Sequence, residues 1–123
     1  MESTNNSPES LLPLTPAVFN ILLALAGGEK HGYGIMQEVA AQTGGKMRIG
    51  PGTLYGSIKR MIDVGLIEES DERPDPALDD ERRRYYRLSA FGKRVASAEA
   101  ERLAQLVAQA RDRQLLPDAG GAR

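Results

Sequence analysis

Apolar residues recur at helical spacing in several stretches of this 123-residue chain. In the first stretch they repeat at i, i+3, i+4 and i+7, the pattern of an amphipathic helix, at Val18, Ile21, Leu22 and Leu25. Thr15 has the side chain of an N-cap, Pro16 suits the first helical position, and Gly27-Gly28 interrupts the pattern. The sequence therefore predicts a first helix that begins at Pro16 and ends before Gly27.

Two further helical patterns follow. After His31-Gly32-Tyr33-Gly34, which we predict to be a turn, Ile35 and Val39 indicate a second helix that Gly44-Gly45 closes. A third helix opens at Gly50-Pro51-Gly52-Thr53. Its apolar residues project on one side, at Leu54, Ile58, Met61 and Ile62. The opposite side is polar and net positive, so this helix has one face for a core and one for a charged partner.

Alternation and aromatic residues predict strands at 66–69 and 84–88, and a short extended piece at 46–49 that pairs with one of them. The polar residues 70–83, broken by two prolines, are predicted to form a long hairpin loop. Ser89 is placed to cap a last helix from residue 90 to about residue 114. The order of elements predicts a mainly α (α+β) fold, a winged helix-turn-helix with a long C-terminal dimerisation helix.

This fold divides the chain into four parts. Residues 1–13 are predicted to be a flexible arm, 14–88 the winged helix-turn-helix DNA-binding domain, 89–115 the dimerisation helix, and 116–123 a disordered tail. The last helix carries an apolar stripe at Phe91, Val95, Ala98, Leu103, Leu106, Val107 and Ala110. A helix this long cannot bury its stripe on so small a domain, which favours a homodimer. The alternative is that the helix lies back across its own domain. Glu99 interrupts the stripe, so no regular coiled coil is expected.

Five segments of the chain resemble the PadR family of bacterial transcriptional regulators, and they come in the family's order. They are Leu14-Thr15-Pro16, His31-Gly32-Tyr33-Gly34-Ile35, Gly52-Thr53-Leu54-Tyr55, Gly65-Leu66-Ile67, and Arg83-Arg84-Tyr85-Tyr86-Arg87-Leu88-Ser89 followed by Gly92. The chain departs from the family at Gly34, where an acidic residue is frequent, and at Gly56, where proline is frequent. The single C-terminal helix resembles the family's short branch. The resemblance implies a homodimeric repressor that small molecules or stress signals release from DNA.

In this fold the third helix is the recognition helix, and its exposed face offers hydroxyl and basic donors for phosphates and base edges. The residues that we predict to contact double-stranded DNA are Tyr33, Lys46, Gly52, Thr53, Tyr55, Gly56, Ser57, Lys59, Arg60, Arg82, Arg83 and Arg84. The alternative for Lys59 and Arg60 is an ordinary solvated helix face. For Tyr33 and Tyr55 the resemblance leaves open a structural role or a phosphate contact. Of Tyr85 and Tyr86, one is expected to face the core.

The formal net charge of −1 argues at first against nucleic acid, but the charges are segregated. Between Glu68 and Glu81 the one base is Arg73, whereas residues 82–94 contain bases and no acid. DNA responds to the local potential within a Debye length of about 8–10 Å. The arginines at the base of the wing are therefore candidates for phosphate contacts. They are also candidates for pairing with Asp79, Asp80 and Glu81, which we expect to shield the wing until DNA binds.

No constellation in the sequence favours an enzyme. The chain has no cysteine, and its one histidine, His31, is expected to form a local hydrogen bond in a turn, so we predict no metal and no cofactor. No apolar run is long enough to span a bilayer and no leader is evident, which favours a cytoplasmic protein. Effectors are expected between the first and last helices of two subunits. The alternative function is a winged-helix module that binds protein without specific DNA binding.

Overall fold

The computed structural model describes residues 7–70 and 84–117. The predictions made for residues 1–6, 71–83 and 118–123 lie outside the described residues. They concern the start of the arm, most of the wing loop with Arg82 and Arg83, and most of the tail.

Four helices form the body of the described chain. They are α1 (Pro16–Ala26), α2 (Gly32–Gln42), α3 (Pro51–Asp63) and α4 (Ala90–Asp112). Thr15 Oγ1 accepts a hydrogen bond from the Val18 backbone N–H at 3.2 Å, and Ser89 Oγ accepts one from the Gly92 N–H at 2.8 Å. Both predicted caps are confirmed, because each hydroxyl satisfies an amide that the first turn of a helix leaves without a partner.

A three-stranded antiparallel sheet closes one side of the helices. Its strands are β1 (Lys30–His31), β2 (Ile67–Glu69) and β3 (Tyr85–Leu88), in the order β1-β3-β2. Ile67 lies opposite Leu88 and Glu69 opposite Tyr86, which makes β2 and β3 the stem of the wing. Tyr86 is buried and Tyr85 is half-buried, as the alternation of side chains along a strand requires.

The prediction of a strand at residues 46–49 is wrong. The third strand is Lys30–His31, which pairs with Tyr86 and Tyr85 of β3. Residues 46–49 are held at the end of α2 instead, since the Met47 N–H donates to Thr43 Oγ1 at 2.9 Å. A short alternating segment becomes a strand only where a neighbouring strand leaves an edge for it, and here β1 occupies that edge.

The core lies between α1, α2, α3 and the sheet, and the first half of α4 completes it. Its fully buried side chains include Ile21, Leu22, Ile35, Val39, Leu54, Ile67 and Val95. Val95 is 0% exposed, and Phe91 packs against the same cluster. Both residues were predicted to form a dimer contact. The structure corrects this for Val95, which fills the core of its own chain because the first turns of α4 cross the sheet and α1. Phe91 is half-buried, and its dimer contact stays a prediction.

The second half of α4 extends past the domain. Leu106 is 49% exposed and Val107 is 39% exposed, although they continue the face that Val95 begins. Ala98, Leu103 and Ala110 are intermediate in exposure. The apolar stripe therefore divides into a part buried within the chain and a part that is exposed.

The segment before α1 is docked rather than loose in its described part. Pro8–Leu11 form a 3-10 helix, and Leu11, Leu12 and Leu14 pack against the core cluster. The Leu14 N–H donates to Glu99 Oε2 at 3.0 Å, which ties this segment to α4. The predicted flexible arm is thus wrong for residues 7–13, because their leucines have apolar surface to bury.

Glu99, 1% exposed, is the polar anchor of that docking. Arg102 donates to both carboxylate oxygens, from Nε to Oε1 at 2.6 Å and from Nη2 to Oε2 at 2.9 Å. These side-chain hydrogen bonds from Arg102 are the main cause that lowers the pKa of Glu99, and the Leu14 N–H adds to it, whereas burial acts in the opposite direction. The carboxylate is therefore held charged inside the fold.

Candidate nucleic-acid interface

The outer face of α3 carries five of the predicted DNA-contacting residues. At 100° per residue, six of its residues fall within about 120° of one another: Gly52, Thr53, Gly56, Lys59, Arg60 and Asp63. We call this set the α3 face. The other side of the helix is the buried row Leu54, Ser57, Ile58 and Met61. Because that row fixes the rotation of the helix, the α3 face points away from the core over a length of about 17 Å.

Ser57 does not belong to the α3 face. It was predicted to be exposed, but it is 7% exposed and lies in the buried row. In projection along the helix axis Ser57 lies next to Met61 and Leu54, on the buried side of the boundary between the two faces. Its Oγ accepts a hydrogen bond from Arg60 Nη2 at 3.4 Å, so this buried hydroxyl contacts a basic side chain of the α3 face.

The beginning of α3 is open to a partner. A Cβ added at Gly50 or at Gly52 would meet nothing within 4 Å. Gly50 is the N-cap and supplies no side-chain cap, and Pro51 fills the first turn. The first-turn amides and the positive end of the helix dipole therefore face outward, which is where a phosphate binds favourably.

The turn that leads into α3 adds two exposed bases, Lys46 and Arg48. Met47 and Ile49, between and after them, turn inward and pack against the core cluster. This alternation holds the two basic side chains outward beside the start of α3. Arg48 was missed in the sequence, although the same alternation around Lys46 would have found it.

Tyr33 and Tyr55 have different surroundings. Tyr33 is 60% exposed in the first turn of α2, with its ring stacked on that of His31 at 6.5 Å between centroids. Tyr55 is half-buried and spans from α3 to Gly32 of α2, where a Cβ would lie 2.7 Å from the tyrosine Cζ. Tyr55 thus sets the distance between α2 and α3, and Tyr33 is the one available to a partner.

His31 caps α2, and the prediction of a local hydrogen bond is confirmed. Its Nδ1 accepts from the Gly34 N–H at 3.0 Å. The ring also meets Tyr85 edge-on, with 5.4 Å between centroids. The bond to Nδ1 leaves the hydrogen of the neutral ring on Nε2, and the helix begins at Gly32 rather than after Gly34.

At the wing stem the described arginines are paired across the two strands. Arg84 Nε lies 3.3 Å from Glu69 Oε2, and Arg87 Nη2 lies 3.1 Å from Glu68 Oε1. Arg84 Nε is buried and has no hydrogen-bond partner among the described residues, so the first contact is an ion pair without a hydrogen bond. Arg84 therefore offers less net charge to DNA than its sequence position indicates.

In the part of the chain that the structure describes, no group of three or more histidine, aspartate or glutamate side chains is placed to hold a metal ion. None of the helices described there has the length and apolar character needed to cross a bilayer.

The model of the PadR-like family of transcriptional regulators matches residues 21–98, which run from the middle of α1 into α4. The chain belongs to this family. The resemblance inferred from the five sequence segments is confirmed, and so is the winged-helix class. The match covers α3, the turn before it and the stem of the wing.

Solved structures share this fold. A PadR-like transcriptional regulator from Bacillus cereus superposes with a TM-score of 0.62 at 17% identity, covering 83% of this chain and 94% of that one. A transcriptional regulator from Clostridium thermocellum gives 0.60 at 24% identity, covering 77% and 85%. The circadian clock associated protein Pex from Anabaena gives 0.55 at 26% identity, covering 79% and 81%.

A curated relative is the uncharacterized 37.1 kDa protein in transposon TN4556 of Streptomyces fradiae. It is 33% identical over 86 residues, which is 70% of this chain and 22% of that protein. This PadR-like chain thus spans about a fifth of the length of that relative.

Proposed function

We propose that this chain is a sequence-specific DNA-binding repressor that acts as a homodimer on an inverted repeat and is released by a small molecule. The observation that carries the proposal is the α3 face, an exposed surface of hydroxyl, backbone and basic donors on a helix whose other side is locked into the core. A rigid helix with such a face fits the major groove.

Two groups of residues at and beside the α3 face are suited to different parts of the DNA. Lys46 and Arg48 lie beside the open start of α3 and are suited to phosphates, which position a protein on the duplex. Thr53, Lys59 and Arg60 lie along the helix and are suited to base edges as well. Asp63 adds one negative charge at the end of the α3 face, and the two bases Lys59 and Arg60 keep the net charge of the face positive.

A homodimer is supported by the exposed half of α4 and by a groove next to it. Leu106 and Val107 continue the apolar stripe of α4 beyond the domain. The groove lies between α1 and α4 and is lined by Phe19, Leu23, Ala96 and Ala100, among others. An apolar helix of a second copy fits a groove of small and apolar side chains. Two recognition helices about one DNA turn apart, related by a two-fold axis, are the arrangement that reads an inverted repeat.

The Lys59→Ala, Arg60→Ala double variant tests the proposal. We expect it to bind the DNA upstream of its own gene about 30-fold more weakly, since each contact contributes about 1 kcal/mol or more. The slope of log affinity against log salt should fall by about 2, since about 0.9 is lost per phosphate contact. Fluorescence anisotropy across a salt series, with random DNA of equal length beside it, measures both quantities.

The control removes the same charge from another surface. Arg94→Ala, Arg111→Ala changes two arginines on α4 and should leave affinity and salt slope near those of the wild type. If both double variants lose affinity equally, or if binding is weak on both DNAs and survives the α3 change, the proposal is wrong. The protein-binding alternative would then stand in its place.

Leu106→Glu tests the dimer. A charge on the exposed half of the apolar stripe must be desolvated when a second copy covers it, so we expect at least a tenfold weaker dimer by sedimentation equilibrium. Ala108→Glu places the same charge about 160° away on the helix and should leave association unchanged. Equal effects of the two variants would show that the stripe is not the interface.

A further inference from the structure

A cavity of about 260 Å³ lies between the docked N-terminal segment, α1 and α3. Leu14 and Val18 line it from one side, and Met61 and Val64 from the other. Its surface is mostly apolar. It is separate from the groove between α1 and α4, where a second copy is proposed to bind. Pockets for drug-sized ligands begin at about 300 Å³, so this one suits a smaller molecule.

Besides Thr15, whose hydroxyl caps α1, two polar side chains of α3 reach this mostly apolar wall. They are the buried Ser57 and the exposed Arg60, joined by the 3.4 Å hydrogen bond from Arg60 Nη2 to Ser57 Oγ. Among the described residues that line the cavity, Arg60 is the only charged one. The ion pairs found between described side chains do not include it. An apolar cavity with one cation at its wall is complementary to an amphipathic anion.

We propose that this cavity binds a small amphipathic anion, with an apolar body against Leu14, Val18 and Met61 and a single carboxylate on the guanidinium of Arg60. Arginine is the side chain best suited to this, because its planar fork can donate two parallel hydrogen bonds to a carboxylate. The Ser57 hydroxyl holds the guanidinium at the edge of the cavity in the absence of the anion.

The site deepens the proposed function, and its link to DNA rests on that function. Arg60 belongs both to the cavity wall and to the α3 face, and one guanidinium cannot pair with the ligand carboxylate and a phosphate or base at the same time. An occupied cavity therefore removes one cation from the DNA-binding surface. Ligand and DNA compete for Arg60 without a change of fold.

Octanoate serves as the probe and octan-1-ol as its uncharged counterpart. Each is titrated into the isotope-labelled chain without DNA, and backbone amide shifts locate the site. We expect octanoate to shift the amides of Leu14, Val18 and Leu66, and to bind at least tenfold more tightly than octan-1-ol. In Arg60→Gln octanoate should lose about tenfold in affinity, whereas octan-1-ol should bind as before.

Two tryptophan variants distinguish binding in the cavity from non-specific hydrophobic binding elsewhere on the surface. Val64→Trp puts a large ring at an exposed position of the cavity wall and should abolish octanoate binding. Ala104→Trp adds the same ring at an exposed position on the side of α4 opposite the apolar stripe and should retain it. Thermal unfolding confirms that both variants fold. The proposal is overturned if octan-1-ol matches octanoate, if shifts centre on Phe19 and Leu23 in the α1–α4 groove, or if no probe binds.

The DNA arm is measured separately. Saturating octanoate should weaken DNA binding of the wild type about tenfold and reduce its salt slope by about 1, with no effect in Val64→Trp. If octanoate binds the cavity and the wild type fails to bind DNA, the proposed function fails and the anion site stands. If both bind and octanoate leaves DNA affinity unchanged, the competition for Arg60 is wrong.

Discussion

Gly92→Ala is expected to destabilise the folded chain by about 3 kcal/mol or more. Gly92 lies in the first turn of α4, where that turn crosses the start of the wing stem. A Cβ at this position would collide with the Leu66 carbonyl oxygen and lie 2.9 Å from its carbon. The obstacle is backbone, and Leu66 O also accepts hydrogen bonds from the Ser89 N–H and Oγ, each at 3.1 Å. Overpacking a fixed site commonly costs about 1–3 kcal/mol, and one that displaces a helix start costs more.

Urea unfolding followed by circular dichroism measures the effect of Gly92→Ala, with Gly52→Ala as the matched control. Gly52 is also in the first turn of a helix, but nothing lies within 4 Å of the Cβ that alanine would add. Since alanine has the higher helix propensity, Gly52→Ala should leave stability equal or raise it by up to about 1 kcal/mol. A Gly92→Ala protein within 1 kcal/mol of the wild type would mean that α4 does not press on Leu66.

The second large effect is expected at Glu99. Glu99→Gln should lower the free energy of unfolding by about 2 kcal/mol at neutral pH, because hydrogen bonds to a charged group contribute about 1.5–3 kcal/mol. The amide retains an oxygen for the Leu14 N–H but loses the charge that Arg102 grips with two donors. The N-terminal segment should loosen from α4, and amide exchange at Leu14 should quicken.

The pH dependence of this loss distinguishes a charged anchor from a merely well-packed one. The pKa of Glu99 is lowered in the folded chain, chiefly by the hydrogen bonds from Arg102. Its contribution to stability is therefore complete above the ordinary glutamate pKa of about 4.3 and is lost as pH falls through the lower folded pKa. The stability difference between wild type and Glu99→Gln should shrink over that range. The exposed Glu101→Gln is the control, and a gap that stays constant down to pH 3 would contradict the mechanism.

The helices could be predicted from sequence because their signals are local. Thr15 and Ser89 cap within three residues of their partners, and apolar spacing fixes which side of α1 and α3 is buried. The wing stem could be predicted in the same way, because the segments that resemble the family there, Gly65-Leu66-Ile67 and residues 83–89, are also local. The third strand could not be placed in this way, because pairing of Lys30–His31 with β3 joins residues more than fifty positions apart, and alternation names no partner.

Parts of the candidate site escaped prediction for similar reasons. Ser57 lies near the boundary of the two faces of α3, where a small error in helix rotation changes its side. Val95 and Leu106 share one stripe, and only the extent of the domain decides that Val95 is buried within the chain while Leu106 is exposed. Glu99 looked like an interruption in that stripe because its partner, the Leu14 amide, lies 85 residues away.

The docking of α4 on the core has a consequence for synthesis on the ribosome. The chain is synthesised from its N-terminus, so α1, α2, α3 and the wing stem leave the ribosome before Val95 and Glu99. The core needs Val95 for its packing, and the N-terminal segment needs Glu99 for its docking. Folding of the nascent domain thus waits for its last helix. The α3 face becomes rigid only when the helix that we propose joins two copies has also been made. An incompletely synthesised chain therefore lacks the rigid α3 face that we propose binds DNA.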